Sequence, residues 1–262
     1  MIKEEKKFVA SDILEGMPSI SALIKGIEAN RNNRRILRIL IDKTRVKQKK
    51  PEIRFLEAKS SLLRFSIEYV DVNEINELTV GNTHGGIIAE CTPRQLPRLS
   101  PDLIEENGVY FILEGIEDPY NFGYAVRSLY AAGVHGVIVG ERNWMGAAGV
   151  VARSSAGCSE LMNIYVSEPT EAIDCLARKG YRILCAGIRD SVSLFETELS
   201  LPLCVILGGE KRGISRSVLE KADQIVRIDY GTDFGGSLST AASAAVFGFE
   251  ILRYNRQSEQ IT

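Results

Sequence analysis

The chain has 262 residues, of which 45% are hydrophobic and 25% are charged, the balance of a soluble globular protein. This length allows two domains of ordinary size. The opening residues, MIKEEKKFVA, are too charged for a secretory signal, and no stretch supplies the roughly 18–20 apolar residues that span a bilayer. We therefore expect a cytoplasmic protein without a membrane segment.

The residues that usually bind metals are sparse and dispersed. The five cysteines form no C-x-x-C pair, and the only two histidines are His84 and His135. A zinc site needs clustered thiolates or imidazoles. We therefore expect no metal site and expect the cysteines to be reduced core residues.

Charge is distributed unevenly, although the net charge is only −2. Residues 1–100 contain 18 Lys/Arg against 13 Asp/Glu, whereas residues 101–262 contain 14 against 21. Residues 31–50 alone hold nine basic side chains and one acid, Asp42. Such a cluster can neutralise RNA phosphates, and a solvated lysine-rich surface is the alternative. The predicted RNA contacts are Arg31, Arg34, Arg35, Arg38, Lys43 and Arg45.

The first 95 residues alternate between helical and strand patterns. The predicted order is a helix in SISALIKGIEAN, a strand in RILRILIDK, a helix in PEIRFLEAKSSLLRF, a strand in IEYVD, a short helix in VNEINEL and a strand in GGIIAEC. This order predicts a small α/β/α sandwich over residues 1–95. The proline-rich stretch that follows has no clear period, so residues 96–107 are predicted to be a linker.

From Val109 onward a second alternation begins. Strands are predicted in VYFILEG, GVIVG, RILCAG, LCVILGG and QIVRI, and helices from Asn121, in EAIDCLARKG, in SRSVLEKA and from about Ser237. Strands that alternate with helices predict a mostly parallel sheet, covered on both faces, over residues 108–262. Ligands bind beyond the carboxyl ends of such strands, and polar, glycine-rich stretches follow three of them.

The first such stretch is DPYNFGYAVR, in which Asn121 can cap a helix and Arg127 follows less than two turns later. Arg127 either faces a ligand, or it is a structural arginine that pairs with a carboxylate or extends its charged end to solvent. The second, LGGEKRGIS, breaks a strand at Gly208 and Gly209, and its main-chain N–H groups suit a small polar ligand, or it is only a tight turn. Ile214 stands where a phosphate-binding loop has lysine, which argues against ATP or GTP.

The third stretch, DYGTDFGGSLSTAASAA, is a loop with three glycines that leads into a helix of small residues. Small residues allow the close approach of a ligand or of another helix. In order and spacing, the three stretches resemble the motifs N-x-G-x-x-x-R, L-G-x-E-x-x-G and I-P-M…S-L-N-x-S-x-A of the SpoU/TrmH branch of SPOUT methyltransferases. VARSSAGCSE is also similar to that family, and the resemblance covers roughly residues 107–256.

The resemblance implies a trefoil-knotted α/β domain that binds S-adenosylmethionine and transfers its methyl group to a ribose 2′-oxygen in structured RNA. It also implies an obligate homodimer, in which the first-motif arginine of one subunit serves the cofactor of its partner. The segment THGGIIAECTPR resembles the end of a small ribosomal-protein-like RNA-binding domain that many members carry. By analogy, ribosomal RNA is favoured over transfer RNA as the substrate.

The motifs also assign residues. Gly208, Ile228 and Leu238 match cofactor-contacting positions, with Gly209, Glu210 and Ser237 beside them. The expected catalytic residues are Arg127, Asn121, Glu210 and Ser237. An arginine has a pKa above about 12 and is a poor general base. We therefore expect Arg127 to orient the nucleotide and to stabilise the emerging alkoxide, while Asn121 holds the arginine or its loop.

Two departures from the family pattern leave a rival hypothesis open beside the enzyme. Ser237-Leu238-Ser239 stands where the family has S-L-N, and IDYGTDFGGSL replaces the I-P-M loop with one residue more. A serine hydroxyl is shorter than an amide and cannot bridge the same span. The rival is an RNA-binding assembly or regulatory protein that keeps the fold without catalysis.

Overall fold

The computed structural model of the chain describes residues 12–79, 84–141 and 147–259, the last range with side chains as far as 257. Packing divides these residues into two compact units. The first unit comprises residues 12–79, 84–95 and 147–161, and the second comprises residues 96–141 and 162–259.

The described helices, in chain order, are α1 (Gly16–Glu28), α2 (Lys50–Leu63), α3 (Val72–Leu78), α4 (Pro119–Ala131), α5 (Ala148–Ser154), α6 (Pro169–Arg178), α7 (Arg216–Leu219) and α8 (Thr240–Glu259). The described strands are β1 (Ile13–Glu15), β2 (Ile36–Asp42), β3 (Ser66–Val70), β4 (Ile87–Cys91), β5 (Val109–Glu114), β6 (Gly136–Val139), β7 (Ile164–Val166), β8 (Arg182–Ala186), β9 (Val192–Ser193), β10 (Leu203–Gly208) and β11 (Gln224–Arg227).

The first unit is a four-stranded sheet with helices on both faces. Its strand order is β1-β4-β2-β3, with β4 antiparallel to its two neighbours and β2 parallel to β3. Alternate residues of β2 point to opposite faces: Ile39 and Ile41 pack with α1 and α2, and Leu40 packs with Ile75 of α3. The predicted α/β/α sandwich is therefore observed.

The second unit contains a seven-stranded sheet in the order β7-β6-β5-β10-β8-β11-β9, and every pairing in it is parallel. The central strands β5 and β10 are almost continuously apolar because both of their faces are covered. Helix α8 packs against α4 so closely that a methyl group on Gly248 would lie 3.1 Å from the Cβ atom of Ala132. The predicted parallel α/β fold is confirmed.

The division by packing differs from the sequence-based division at two segments. The predicted linker, residues 96–107, packs in the second unit, where Ile104 belongs to the core. Residues 147–161 were expected within the C-terminal domain, and they pack in the first unit instead. Ala152 of α5 belongs to the core of that unit, and a Cβ atom on Gly149 or Gly157 would lie within 2.5 Å of Ile13 or Ala22. The small residues of this segment are therefore packing residues of the N-terminal unit.

Two helices begin at other residues than the sequence predicted. Helix α4 begins at Pro119 because the carboxylate of Asp118 accepts hydrogen bonds from the backbone N–H groups of Tyr120 and Asn121. Asp118 is thus the N-cap, and the prediction that Asn121 caps this helix is wrong. Helix α8 begins at Thr240, three residues later than expected. Among the described helices, none is long and apolar enough to cross a membrane.

Candidate active site

The carboxyl ends of β8, β10 and β11, together with the start of α8, surround a cavity of about 870 Å³. Its lining combines apolar residues such as Leu207, Val226 and Phe247 with glycines, short polar side chains and charged side chains. The structure brings into this one cavity all six residues that the sequence predicted to contact a cofactor: Gly208, Gly209, Glu210, Ile228, Ser237 and Leu238. A cavity of this size and lining suits an elongated ligand with both apolar and polar parts.

At Gly208 and Gly209, where β10 ends, the neighbouring backbone lies too close for a side chain. A Cβ atom on Gly208 would lie 2.4 Å from the carbonyl carbon of Gly213, and one on Gly209 would lie 2.1 Å from the carbonyl oxygen of Gly115. The N–H group of Gly209 donates to the carbonyl oxygen of Glu114 at 2.6 Å, and that of Gly213 donates to Gly209 at 3.0 Å. Both glycines are therefore required by the approach of three backbone segments.

Asn121 of the first motif contacts Glu210 of the second. The side-chain amide of Asn121 donates a 2.8 Å hydrogen bond to Oε1 of Glu210, and Lys211 next to it forms an ion pair with Glu117 at 2.6 Å. These contacts fix the loop after β5 to the turn after β10. Of the two roles expected for Asn121, the structure shows the one of holding the loop.

The third motif is anchored to the same turn. The hydroxyl of Thr240 donates to the carbonyl oxygen of Gly208 at 2.8 Å, and the hydroxyl of Tyr230 accepts a 3.2 Å hydrogen bond from the N–H group of Leu238. The Ser239 hydroxyl accepts from the N–H group of Ala242 at 3.2 Å. Serine caps a helix as well as asparagine does, so Ser239 keeps the start of α8 in place although the family residue is asparagine.

Arg127 has a different environment. Its side chain is exposed and lies on the same outward face of α4 as Tyr120 and Tyr124, whose exposed fractions are 39% and 48%. Within the described part of the chain, Arg127 makes no hydrogen bond or ion pair, so the expected alternative of pairing with a carboxylate is not observed. Arg127 does not line the cavity of its own chain.

The predicted RNA contacts in the first unit fall into two groups. Arg34 is only 3% exposed, and its guanidinium donates to Glu160 at 3.1 Å, to Asp12 at 3.2 Å and to the carbonyl oxygen of Thr92 at 2.8 Å. A buried, paired arginine cannot reach a phosphate, so the prediction for Arg34 is wrong.

The other five basic residues remain accessible to different extents. Arg38 is paired with Glu90 and Glu68, Lys43 with Asp71, and Arg45 with Asp42, and each of these ion pairs is at least partly exposed. The side chains of Arg31 and Arg35 are exposed and have no partner among the residues that the structure describes. These two arginines are the strongest candidates for RNA contacts.

The loop after β8 also contributes to the cavity, although no motif predicted it. Arg189 and Asp190 line the cavity, and the loop is braced because Arg227 donates to the carbonyl oxygen of Ser191 at 2.6 Å and pairs with Asp229 at 2.7 Å. A hydrogen bond from Ser193, with the ion pair to Arg227, holds the pKa of Asp229 below its usual range. The signal was present, since Gly187 and a charged pair follow the strand RILCA.

The described residues supply neither a metal-binding cluster nor an ionised thiol at this edge. They contain no group of three or more His, Cys, Asp or Glu side chains that could hold a metal ion. Burial raises the pKa of Cys185 to about 12, so this thiol, one residue before the cavity-lining Ala186, is not ionised near neutral pH.

Comparison with known proteins identifies the family. A family model described as "SpoU rRNA Methylase family" matches residues 108–249, and one described as "RNA 2'-O ribose methyltransferase substrate binding" matches residues 27–97. The chain belongs to the SpoU rRNA methylase family. The predicted family and the predicted type of enzyme, an S-adenosylmethionine-dependent RNA ribose methyltransferase, are confirmed.

Similar proteins span nearly the whole of this SpoU chain. The 23S rRNA (guanosine-2'-O-)-methyltransferase RlmB of Shewanella oneidensis is 26% identical, over 94% of this chain and 98% of that protein. The putative TrmH family tRNA/rRNA methyltransferase YacO of Bacillus subtilis is 23% identical, over 87% and 92%. The AdoMet-bound rRNA methyltransferase of Sinorhizobium meliloti has the same fold, with a TM-score of 0.76 and 17% identity over 95% of this chain and 94% of that one.

Proposed function

We propose that this SpoU protein methylates a ribose 2′-oxygen of ribosomal RNA in the cytoplasm, at a site that two copies of the chain form together. One observation carries the proposal: six residues from the second and third motifs line one cavity, while the arginine of the first motif, expected to complete the site, is exposed outside it. The cavity is the binding site of the cofactor. The exposed arginine is available to the corresponding site of a second copy of the chain.

The cavity fits S-adenosylmethionine in size and chemistry. Its volume of about 870 Å³ lies within the range of roughly 300–1,000 Å³ of small-molecule sites. Main-chain groups of Gly208, Ile228 and Leu238 would hold the cofactor, with the apolar side chains of Leu207 and Phe247 beside them. When bound, S-adenosylmethionine supplies a methyl group already activated by a positively charged sulfur. We also propose that this domain carries the trefoil knot of its family.

Arg127 binds and orients the RNA at the site of the partner subunit. In a twofold dimer that pairs this face of α4 with the edge of the cavity, each exposed Arg127 meets the cavity of the other chain. Its guanidinium holds a phosphate in a fixed geometry and stabilises negative charge that develops on the 2′-oxygen. Since arginine keeps its proton, this role is electrostatic and positional.

The remaining residues keep the site in shape. The bond between Asn121 and Glu210 fixes the turn after β10 to the start of α4, the helix that carries Arg127. Ser237 lies on the cavity wall with its hydroxyl exposed, and it binds the ribose hydroxyl there. Asn121 and Glu210 are therefore positioning residues, and Ser237 contacts the substrate.

The first unit recruits the RNA. It contains the segment that matches the substrate-binding model, and Arg31 and Arg35 provide exposed guanidinium groups on it. Relatives named as 23S rRNA methyltransferases support ribosomal RNA over transfer RNA. Phosphate contacts of this kind supply affinity that falls as salt rises.

Two measurements on the full-length protein test the proposal. Calorimetric titration with S-adenosylmethionine should show saturable binding, and tritiated methyl groups should enter the 2′-oxygen of ribosomal RNA from cells that lack the gene. Leu238→Trp, which fills the cavity from a loop, should abolish both. Cofactor binding without methylation of ribosomal or transfer RNA would contradict the proposed function, and no binding at millimolar cofactor would favour the inert RNA-binding alternative.

A further inference from the structure

An aromatic side chain, Phe234, stands exposed in the loop between β11 and α8. Its ring is 52% exposed, and it meets the ring of Tyr230 edge-to-face, with centroids 5.4 Å apart and planes at 67°. The ring also lies over Gly236, where a Cβ atom would come within 2.6 Å of the Phe234 Cζ atom. Phe234 is therefore held by two neighbours and keeps its remaining surface open to solvent.

The neighbours of Phe234 place its ring at the rim of the cofactor cavity. Tyr230 lines the cavity, and so do Ser237 and Leu238, which follow Gly236 directly. The hydrogen bond from the N–H group of Leu238 to the Tyr230 hydroxyl fixes the ring against which Phe234 packs. The exposed surface of Phe234 is thus anchored beside the space where a methyl donor would bind.

We propose that Phe234 is a stacking platform for the base of the nucleotide whose ribose is methylated. This inference rests on the proposed function and names one element of substrate recognition. For its 2′-hydroxyl to enter the cavity, a ribose must lie at the rim, which brings its base close to Phe234. Unstacked bases in RNA recognition sites typically stack on aromatic rings.

The charges of the loop favour a base over a phosphate as its ligand. Residues 228–237 contain two acids, Asp229 and Asp233, and no lysine or arginine. Asp229 is already paired with Arg227. Without a cation of its own, the loop has no group that attracts a phosphate, whereas an aromatic face attracts a base of any sequence.

The test uses the full-length protein and a matched control. Phe195, in the turn Leu194–Glu196, is a 56% exposed phenylalanine of the same unit that does not line the cavity. Methylation of ribosomal RNA from cells lacking the gene first identifies the target nucleotide. A transcript of that region is then prepared with the natural base or with an abasic ribose at the target.

We expect Phe234→Ala to raise the KM for the natural transcript about tenfold or more, the scale of one lost stacking contact, with unchanged S-adenosylmethionine affinity. Phe234→Tyr should retain the wild-type KM, and Phe195→Ala should have no effect. Removing the target base should raise the KM of the wild-type protein. The same change should raise the KM of Phe234→Ala only slightly further, because the stacking contact is already lost.

Three results would overturn the inference: equal KM values for Phe234→Ala and Phe195→Ala, a loss of cofactor binding in Phe234→Ala, or independent effects of the variant and of base removal. A wild-type protein that methylates no ribosomal RNA would instead contradict the proposed function itself.

Discussion

Two regions of the molecule supply arginines that the sequence connects with RNA, and they differ in how those side chains are engaged. In the first unit, Arg34 is buried among carboxylates and Arg38 pairs with two glutamates across neighbouring strands. In the second unit, Arg127 is exposed on α4 and has no partner among the described residues. Arg34 and Arg38 thus serve structure in the first unit, whereas Arg127 in the second unit remains available for a ligand, as do Arg31 and Arg35 in the first.

The difference shows that partners, more than local charge density, separate a structural arginine from a functional one. Residues 31–50 form the densest basic cluster of the chain, yet Arg34 and Arg38 are each neutralised by two acids that do not belong to this cluster. Arg127 has no basic neighbours along α4, yet it is left without an internal partner. An unpaired guanidinium is free to bind a phosphate or an oxyanion.

The largest effect is expected for Arg34→Ala. This substitution leaves Glu160 buried and without its guanidinium partner, and the loss of one partner of a buried ion pair destabilises a protein by about 3–5 kcal/mol. Chemical denaturation monitored by circular dichroism measures the free energy of unfolding, with the neighbouring Arg35→Ala as control. A free energy of unfolding equal to that of Arg35→Ala would show that Arg34 is not structural.

Arg127→Ala should lower the turnover number by about 100-fold or more, the scale of one positioned electrostatic group, without changing stability or S-adenosylmethionine affinity. Arg127→Lys should recover part of the activity, since lysine keeps the charge but not the planar fork. Single-turnover methylation measures the rate of methyl transfer, and calorimetry measures the affinity for S-adenosylmethionine. Wild-type turnover in Arg127→Ala would remove the residue from the mechanism.

A smaller effect is expected when Arg31 and Arg35 are both replaced by alanine. RNA affinity should fall, and the slope of log K against log salt should decrease by about two, one unit for each lost phosphate contact. Turnover at saturating RNA and the midpoint of thermal unfolding should match the wild type. Arg38→Ala provides the comparison, and a larger slope change for it than for the double variant would reverse the assignment.

The elements with strong periodicity could be predicted from sequence, and those that depend on distant packing could not. The apolar runs of β5 and β10 and the helical spacing of α1 indicated their elements directly. The two- and three-residue strands β1, β7 and β9 are too short to show a period, and the small residues of α5 give no amphipathic pattern. The order of the parallel sheet, which places β10 between β5 and β8, depends on contacts distant in sequence.

In the candidate site, too, local features could be predicted from the sequence and contacts between distant residues could not. Gly208, Glu210 and Leu238 could be predicted because the spacing of the motifs indicates local turns. In the structure these three residues line one cavity. The burial of Arg34 could not be predicted, because its partner Glu160 is 126 residues away. Asp118 caps α4 in place of Asn121 because a carboxylate just before Pro119 already satisfies the first N–H groups. The amide of Asn121 is thereby free to bind Glu210.

A mixed-dimer experiment tests the central claim, a site shared between two chains, most directly. Arg127→Ala keeps its cavity, and Leu238→Trp keeps its arginine, so each variant alone should be inactive. If Arg127 acts on the partner's cavity, refolding the two variants together in equal amounts should restore about a quarter of wild-type activity, because half of the twofold dimers then hold one complete site. Activity that stays at the level of the separate variants, although mixed dimers are present, would contradict the shared site.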